Sequence, residues 1–131
     1  MLDDLIQCSV NIRIEKAREC LRDAETMLSV ESYAAAANRS YYCVFHAMRA
    51  VLCTIGFATK KHSGIIAEFR LRFIKSGIFP VEFSDIIGVA FEIRNDSDYK
   101  DFFVISKADV AEQIKNAKTF LTAVDAYLKA L

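Results

Sequence analysis

Arg94 stands where an apolar residue is due. Phe83, Ile87 and Ala90 recur by four and three residues, and the next position on that stripe is Arg94. A guanidinium on a core-facing line needs partners, because an unpaired buried charge is very costly. Asp98, four residues on, shares its helix face within reach of an ion pair, and Tyr99 lies about 100° further round. Two roles fit this spacing. In one, Arg94 and Asp98 close the end of a helical bundle as a structural ion pair. In the other, Asp98 fixes the guanidinium in a cleft or dimer seam, its remaining donors grip a phosphate, and Tyr99 donates a hydrogen bond to the same anion. Any catalysis would fall to Arg94, Asp98 and Tyr99.

The two histidines differ in setting. His46 falls inside a helical pattern and reads as a packed side chain. His62 lies in the basic turn Lys60-Lys61-His62-Ser63-Gly64 at a helix start, where backbone N–H groups favour anions. Lys61 and His62 are therefore ligand-binding candidates. Asn38 joins them: Asn38, Tyr42, Phe45, Arg49 and Leu52 form a line beside an apolar stripe, and polar groups there predict hydrogen bonding within the bundle or across an interface. The four cysteines, Cys8, Cys20, Cys43 and Cys53, form no C-x-x-C pair and read as reduced core residues of a cytoplasmic protein. Cys43 and His46 share a helix face, but two ligands do not make a zinc site. Neither metal nor cofactor is expected.

The elements that must position these residues are helices. Val10, Ile14, Ala17, Leu21, Ala24 and Leu28 step by four and three; so do Ala34 to Ile55 and Val110 to Leu128. Gly56 and Gly77 suit the left-handed residue that ends a helix, and Pro80 suits the start of the next. Ser106 with Asp109 has the spacing of a capping box, and Ile105 with Val110 that of a hydrophobic staple. The pattern predicts helices over 3–29, 32–55, 64–76, 81–98 and 106–130. Stripes at this period pack at shallow angles, giving an all-α antiparallel up-and-down bundle of four to five helices, one domain over 1–131. Leu21, Met48 and Leu121 are expected in its core. Phe102, Phe103, Val104 and Ile105 follow the fourth helix, too apolar for solvent, and are expected to pack on the bundle or on a partner.

Composition narrows the function. Four glycines and one proline are too few for the turns of a β-sandwich or barrel. Seventeen cations balance seventeen anions, which argues against indiscriminate nucleic-acid binding; no DNA partner is expected. The acidic start Met1-Leu2-Asp3-Asp4 is unlike a targeting signal, and no run of apolar residues approaches bilayer length, so no membrane partner is expected. The charge is unevenly placed. Lys60, Lys61, Arg70, Arg72 and Lys75 face only Glu68 within residues 60–75, whereas six acids outnumber Arg94 and Lys100 within residues 82–101. That contrast fits complementary solvated faces, or a basic third helix touching a phosphate-bearing partner.

Three stretches resemble one family. They are Asn38-Arg39-Ser40-Tyr41-Tyr42-Cys43-Val44-Phe45-His46-Ala47-Met48-Arg49-Ala50-Val51-Leu52, then Lys60-Lys61-His62-Ser63-Gly64, then Phe91-Glu92-Ile93-Arg94-Asn95-Asp96-Ser97-Asp98-Tyr99 with Asp101-Phe102-Phe103 after it. Together they resemble the HEPN superfamily (higher eukaryotes and prokaryotes nucleotide-binding), in its small prokaryotic branch. The resemblance implies a bundle that dimerises, often paired with a minimal nucleotidyltransferase as toxin and antitoxin. Active members resemble metal-independent ribonucleases, with an Arg and, four to six residues on, a His at a dimer cleft. Arg94 matches that Arg; Tyr99 stands five residues later, and no His follows Arg94. A phenol with a pKa near 10 is a poor general base at neutral pH. Three readings stand: a homodimeric partner of a nucleotidyltransferase that binds nucleotide or RNA without cutting, an endoribonuclease toxin using Arg94 with Asp98, Tyr99 or His62, and a purely structural helical module.

Overall fold

The computed structural model describes residues 2–131. Among them are five helices and no strand: α1 Asp4–Ser29, α2 Tyr33–Cys53, α3 His62–Phe69, α4 Glu82–Tyr99 and α5 Lys107–Lys129, with α3 running on as a π-helical turn over Arg70–Ile74. The all-α bundle expected from the periodicity is what forms. Its helix ends fall within two residues of the expected ones, except that α3 is regular only to Phe69. The capping chemistry sets several of them. Asp3 accepts from the Ile6 N–H at 2.8 Å and Ser106 from the Asp109 N–H at 3.0 Å. Ile105 packs on the small cluster that holds Val110, completing the staple. Gly56 and Gly77 sit at φ +71° and +85°, the left-handed region their positions called for.

α2 is the central element, packed against α1, α3, α4 and α5. It is buried around most of its circumference, and alanines at 36, 37, 47 and 50 let its neighbours approach closely. The short link after Ser29 turns α2 back along α1; Glu31 makes that turn at φ +62°, an unusual conformation for a side-chain-bearing residue. Met48 and Leu121 lie in the core as expected, but Leu21 is only half-buried, since it sits at the edge between the main cluster and the smaller one under Ile105. Phe69, Phe73, Phe79, Phe83 and Phe120 stack in succession and join α3, α4 and α5.

Two features fix α3 against α4, and with them the site described next. α3 begins at His62, two residues before the expected start, so His62 is part of the helix rather than of the loop. At its other end Arg70 reaches across to α4, where its Nη2 donates to the Ser84 carbonyl at 2.9 Å. Gly88 makes this reach feasible: a Cβ there would lie 3.2 Å from that nitrogen. Of the two positions expected for the loop after α4, packing on the bundle holds only in part. Phe102 and Val104 are 94% and 92% exposed and do not pack on the bundle; only Phe103 and Ile105 are partly covered. α4 ends at Tyr99 and Lys100 is extended, which carries these residues away from the core.

Candidate functional site

Tyr41 and Tyr42 are consecutive on α2, their rings meet edge to face with centres 5.1 Å apart, and α3 and α4 each bring a cation-capable group to them. Tyr41 is buried, with its hydroxyl 2.7 Å from His62 Nδ1. The imidazole lies stacked on Phe45, with ring centres 4.1 Å apart, and Tyr42 meets it edge-on at 5.9 Å. From α4, the Arg94 guanidinium carbon stands 5.7 Å from the Tyr41 ring centre and 5.8 Å from that of Tyr42, within reach of cation–π attraction. Arg94 Nη2 donates to the Tyr42 hydroxyl at 3.2 Å. Arg94 and His62, far apart in sequence, thus frame the same two tyrosines.

Arg94 is held but not exhausted. Its Nε lies 3.0 Å from Asp98 Oδ2, the expected i,i+4 pair, although the N–H is not aimed at that oxygen and makes no hydrogen bond. Nη1 donates to Asn95 Oδ1 at 3.4 Å. Each terminal nitrogen carries two N–H groups, so one on each is left for another acceptor. The side chain is 18% exposed, which keeps the charge at the rim rather than in the core.

The electrostatics follow from burial. Burial first, then the nearby Arg94 and Arg49, push the His62 imidazole below its ordinary pKa of 6.5, so it is neutral at pH 7 with one ring nitrogen able to accept a proton. Burial raises the Tyr41 phenol well above its usual range even though Arg94 works in the opposite direction. Tyr41 therefore stays protonated and serves His62 as a neutral hydrogen-bond partner.

The candidate residues are not all brought together. Arg94, Asp98 and His62 share this site. Asn38 lies beside it: its Oδ1 accepts from Arg39 Nη2 at 2.7 Å, and Asn38, Arg39, Ser97 and Asp98 line a groove of about 450 Å³ between α2 and α4. Tyr99 is 79% exposed and makes no side-chain hydrogen bond with the described residues, so it does not belong to the Arg94–Asp98 cluster expected for it; being last in α4, it has turned away from α2. Lys61 is an exposed residue that serves α3 through its backbone, its carbonyl accepting from Ile65 at 3.2 Å. The tyrosine pair was missed as a platform, since Tyr41 reads as one more residue of an apolar stripe. Adjacent aromatics at the edge of that stripe were the available signal. No group of three or more His, Cys, Asp or Glu among the described residues is placed to hold a metal.

Comparison with known proteins adds three findings. The model of the HEPN domain matches residues 10–127. A UPF0332 protein of Thermotoga maritima is 34% identical over 116 residues, covering 88% of each chain, and "Putative toxin MJ0142" of Methanocaldococcus jannaschii is 33% identical over 115 residues, covering 88% of this chain and 78% of its own. The crystal structure of TT1696 from Thermus thermophilus superposes with a TM-score of 0.75 at 18% identity, covering 89% of this chain and 96% of the other, a likeness of fold.

Proposed function

The chain belongs to the HEPN domain family, and from that premise we propose that it is a toxin-type protein that takes an RNA or nucleotide phosphate at Arg94, acting as a homodimer with a minimal nucleotidyltransferase as partner. The observation that carries the reading is the convergence of Arg94 and His62 on Tyr41 and Tyr42 at the bundle rim. A guanidinium oriented by Asp98 and Tyr42, with donors to spare, is suited to a phosphate. The toxin reading draws on the name of the relative in M. jannaschii. Fluorescence anisotropy with a labelled single-stranded RNA tests it. Arg94→Ala should weaken binding at least tenfold while the protein stays folded. Equal affinity of parent and variant would defeat the proposal.

A second reading, cleavage of the bound strand, is favoured by the placement of His62. No His follows Arg94, but His62 on α3 meets the same tyrosine pair and can supply an imidazole. With Nδ1–H donated to the Tyr41 oxygen, Nε2 keeps its lone pair and is the group to take the proton of a ribose 2′-hydroxyl. The 2′ oxygen then attacks phosphorus, the bond to the 5′ oxygen breaks, that oxygen takes a proton from water, the resulting hydroxide is neutralised by the proton held on His62, and a 2′,3′-cyclic phosphate is left. RNA incubated with the parent protein should accumulate cyclic phosphate ends, and His62→Ala should abolish them without loss of RNA binding. Binding without any cleavage by the parent would leave the non-cutting reading alone.

A further inference from the structure

We propose that the cavity between α1 and α2 walled by Arg13 and Arg49 is a second phosphate site, which holds the backbone of the same RNA strand away from the phosphate at Arg94. The strand as ligand rests on the reading of Arg94 given above; the anion site itself does not.

The cavity measures about 240 Å³ and no carboxylate lines it; Ser9 and Cys53 share its wall with the two arginines, and the rest is apolar, Ile12, Phe57, Ala58 and Ile65. Neither guanidinium forms an ion pair with the described residues, whereas Arg18, Arg22, Arg72 and Arg94 all do. Two like charges sharing one cavity repel, and Arg49 feels both burial and Arg13 as influences against its proton. An anion between them removes that repulsion. The space is smaller than the roughly 300–1,000 Å³ of pockets that enclose whole small molecules. It suits one group of a longer ligand.

Two further observations extend the patch beyond the cavity. Arg49 lies over the Phe45 ring at 5.8 Å, the same ring on which His62 stacks, so it stands between the cavity and the Arg94 notch. His46, on the same helix as Arg49, feels the charges of Arg13, Arg49, Lys16 and Arg39 after the larger effect of burial, and its buried Nδ1 has no hydrogen-bond partner. Two of these cations, Lys16 and Arg39, also act at Cys20 together with the acids Glu19 and Asp23, so Arg13 and Arg49 are the pair without nearby acids among these influences. In a chain of zero net charge, Arg13 and Arg49, without ion pairs to the described residues, mark a track for a polyanion beside the Arg94 site.

The experiment compares a labelled RNA dinucleotide and decanucleotide, with parent protein, Arg13→Gln, Arg13→Gln/Arg49→Gln and Arg94→Ala, over a range of salt. Glutamine keeps most of each stem, and thermal melts establish that the variants fold; the single variant serves if the double one does not. Each lost phosphate contact should lower the salt slope for a single strand by about 0.7. The double variant should therefore bind the decanucleotide at least tenfold more weakly with a slope shallower by about 0.7, and bind the dinucleotide like the parent. An unchanged decanucleotide slope would overturn the second site. So would an equal loss for both lengths, or a change of oligomeric state showing that a carboxylate of another copy fills the cavity. If Arg94→Ala leaves the affinities intact while the double variant weakens the decanucleotide, the Arg94 reading fails and the second site stands.

Discussion

Arg94 and His46 differ in the partners the fold provides. Asp98, Asn95 and the Tyr42 hydroxyl lie around the Arg94 guanidinium. Arg94→Lys preserves charge but not the fork of donors, so RNA affinity should drop about tenfold while stability changes by about 1 kcal/mol or less, as suits an ion pair at the rim. Loss of stability with unaltered affinity, measured by melting and anisotropy together, would assign Arg94 a structural role only. His46 by contrast gives up its proton: burial, then Arg13, Arg49, Lys16 and Arg39, push its pKa down to about 4. The unfolded chain takes that proton near pH 6.5, the folded chain not until about pH 4. Stability from this residue is therefore complete above pH 6.5 and falls as the pH drops toward 4, by as much as about 3 kcal/mol. His62, lowered in the same direction, adds to the fall. Urea midpoints at pH 7 and 4.5 should differ clearly less for His46→Gln than for the parent; an identical difference would contradict the assignment.

Among the elements, the helices that carry an uninterrupted stripe and a cap were readable in the chain, and those that bend or twist away from regularity were not. α1, α2 and α5 follow their three-and-four spacing to within two residues of the expected ends, because burial and capping point the same way there. α3 broke the pattern. Arg70–Ile74 adopt π geometry, which shifts the helix face in a way no spacing rule anticipates, and its start at His62 changed that residue from a loop group into a helix-held partner of Tyr41. The site was legible in its polar members on α4, Arg94 and Asp98, whose departure from an apolar stripe was visible. Its buried aromatic member Tyr41 was not, since it obeys the apolar stripe it sits on, while Tyr42 and Phe45 stood out only as part of the line beside that stripe. The link between α1 and α2 provides a test of local strain. Glu31 holds φ +62°, which costs a side-chain-bearing residue roughly 1 kcal/mol. Glu31→Gly should remove that cost and leave the protein equally or slightly more stable. Destabilisation by more than about 1 kcal/mol in a thermal melt would mean that the Glu31 side chain matters in its own right.

On the scale of the whole molecule, the two most exposed large apolar side chains among the described residues, Phe102 and Val104, lie in one loop. Tyr99, Phe102 and Val104 are 79%, 94% and 92% exposed, in a single stretch that begins directly after Asp98. Covering a large apolar side chain is worth roughly 1.5–3 kcal/mol, and the bundle provides no cover for these. A second copy presenting the same stretch would bury both sets and bring the two Arg94–Asp98 pairs toward each other. The prediction is a homodimer at micromolar concentration, detected by sedimentation, with Phe102→Asp/Val104→Asp shifting it to monomer. Because both side chains stand clear of the core, the variant monomer should retain the helical content of the parent. RNA affinity should fall along with dimerisation if the two Arg94 sites act on one strand. A parent protein that sediments as a monomer, or a variant that remains dimeric, would place the interface elsewhere and leave the exposed loop to a different partner.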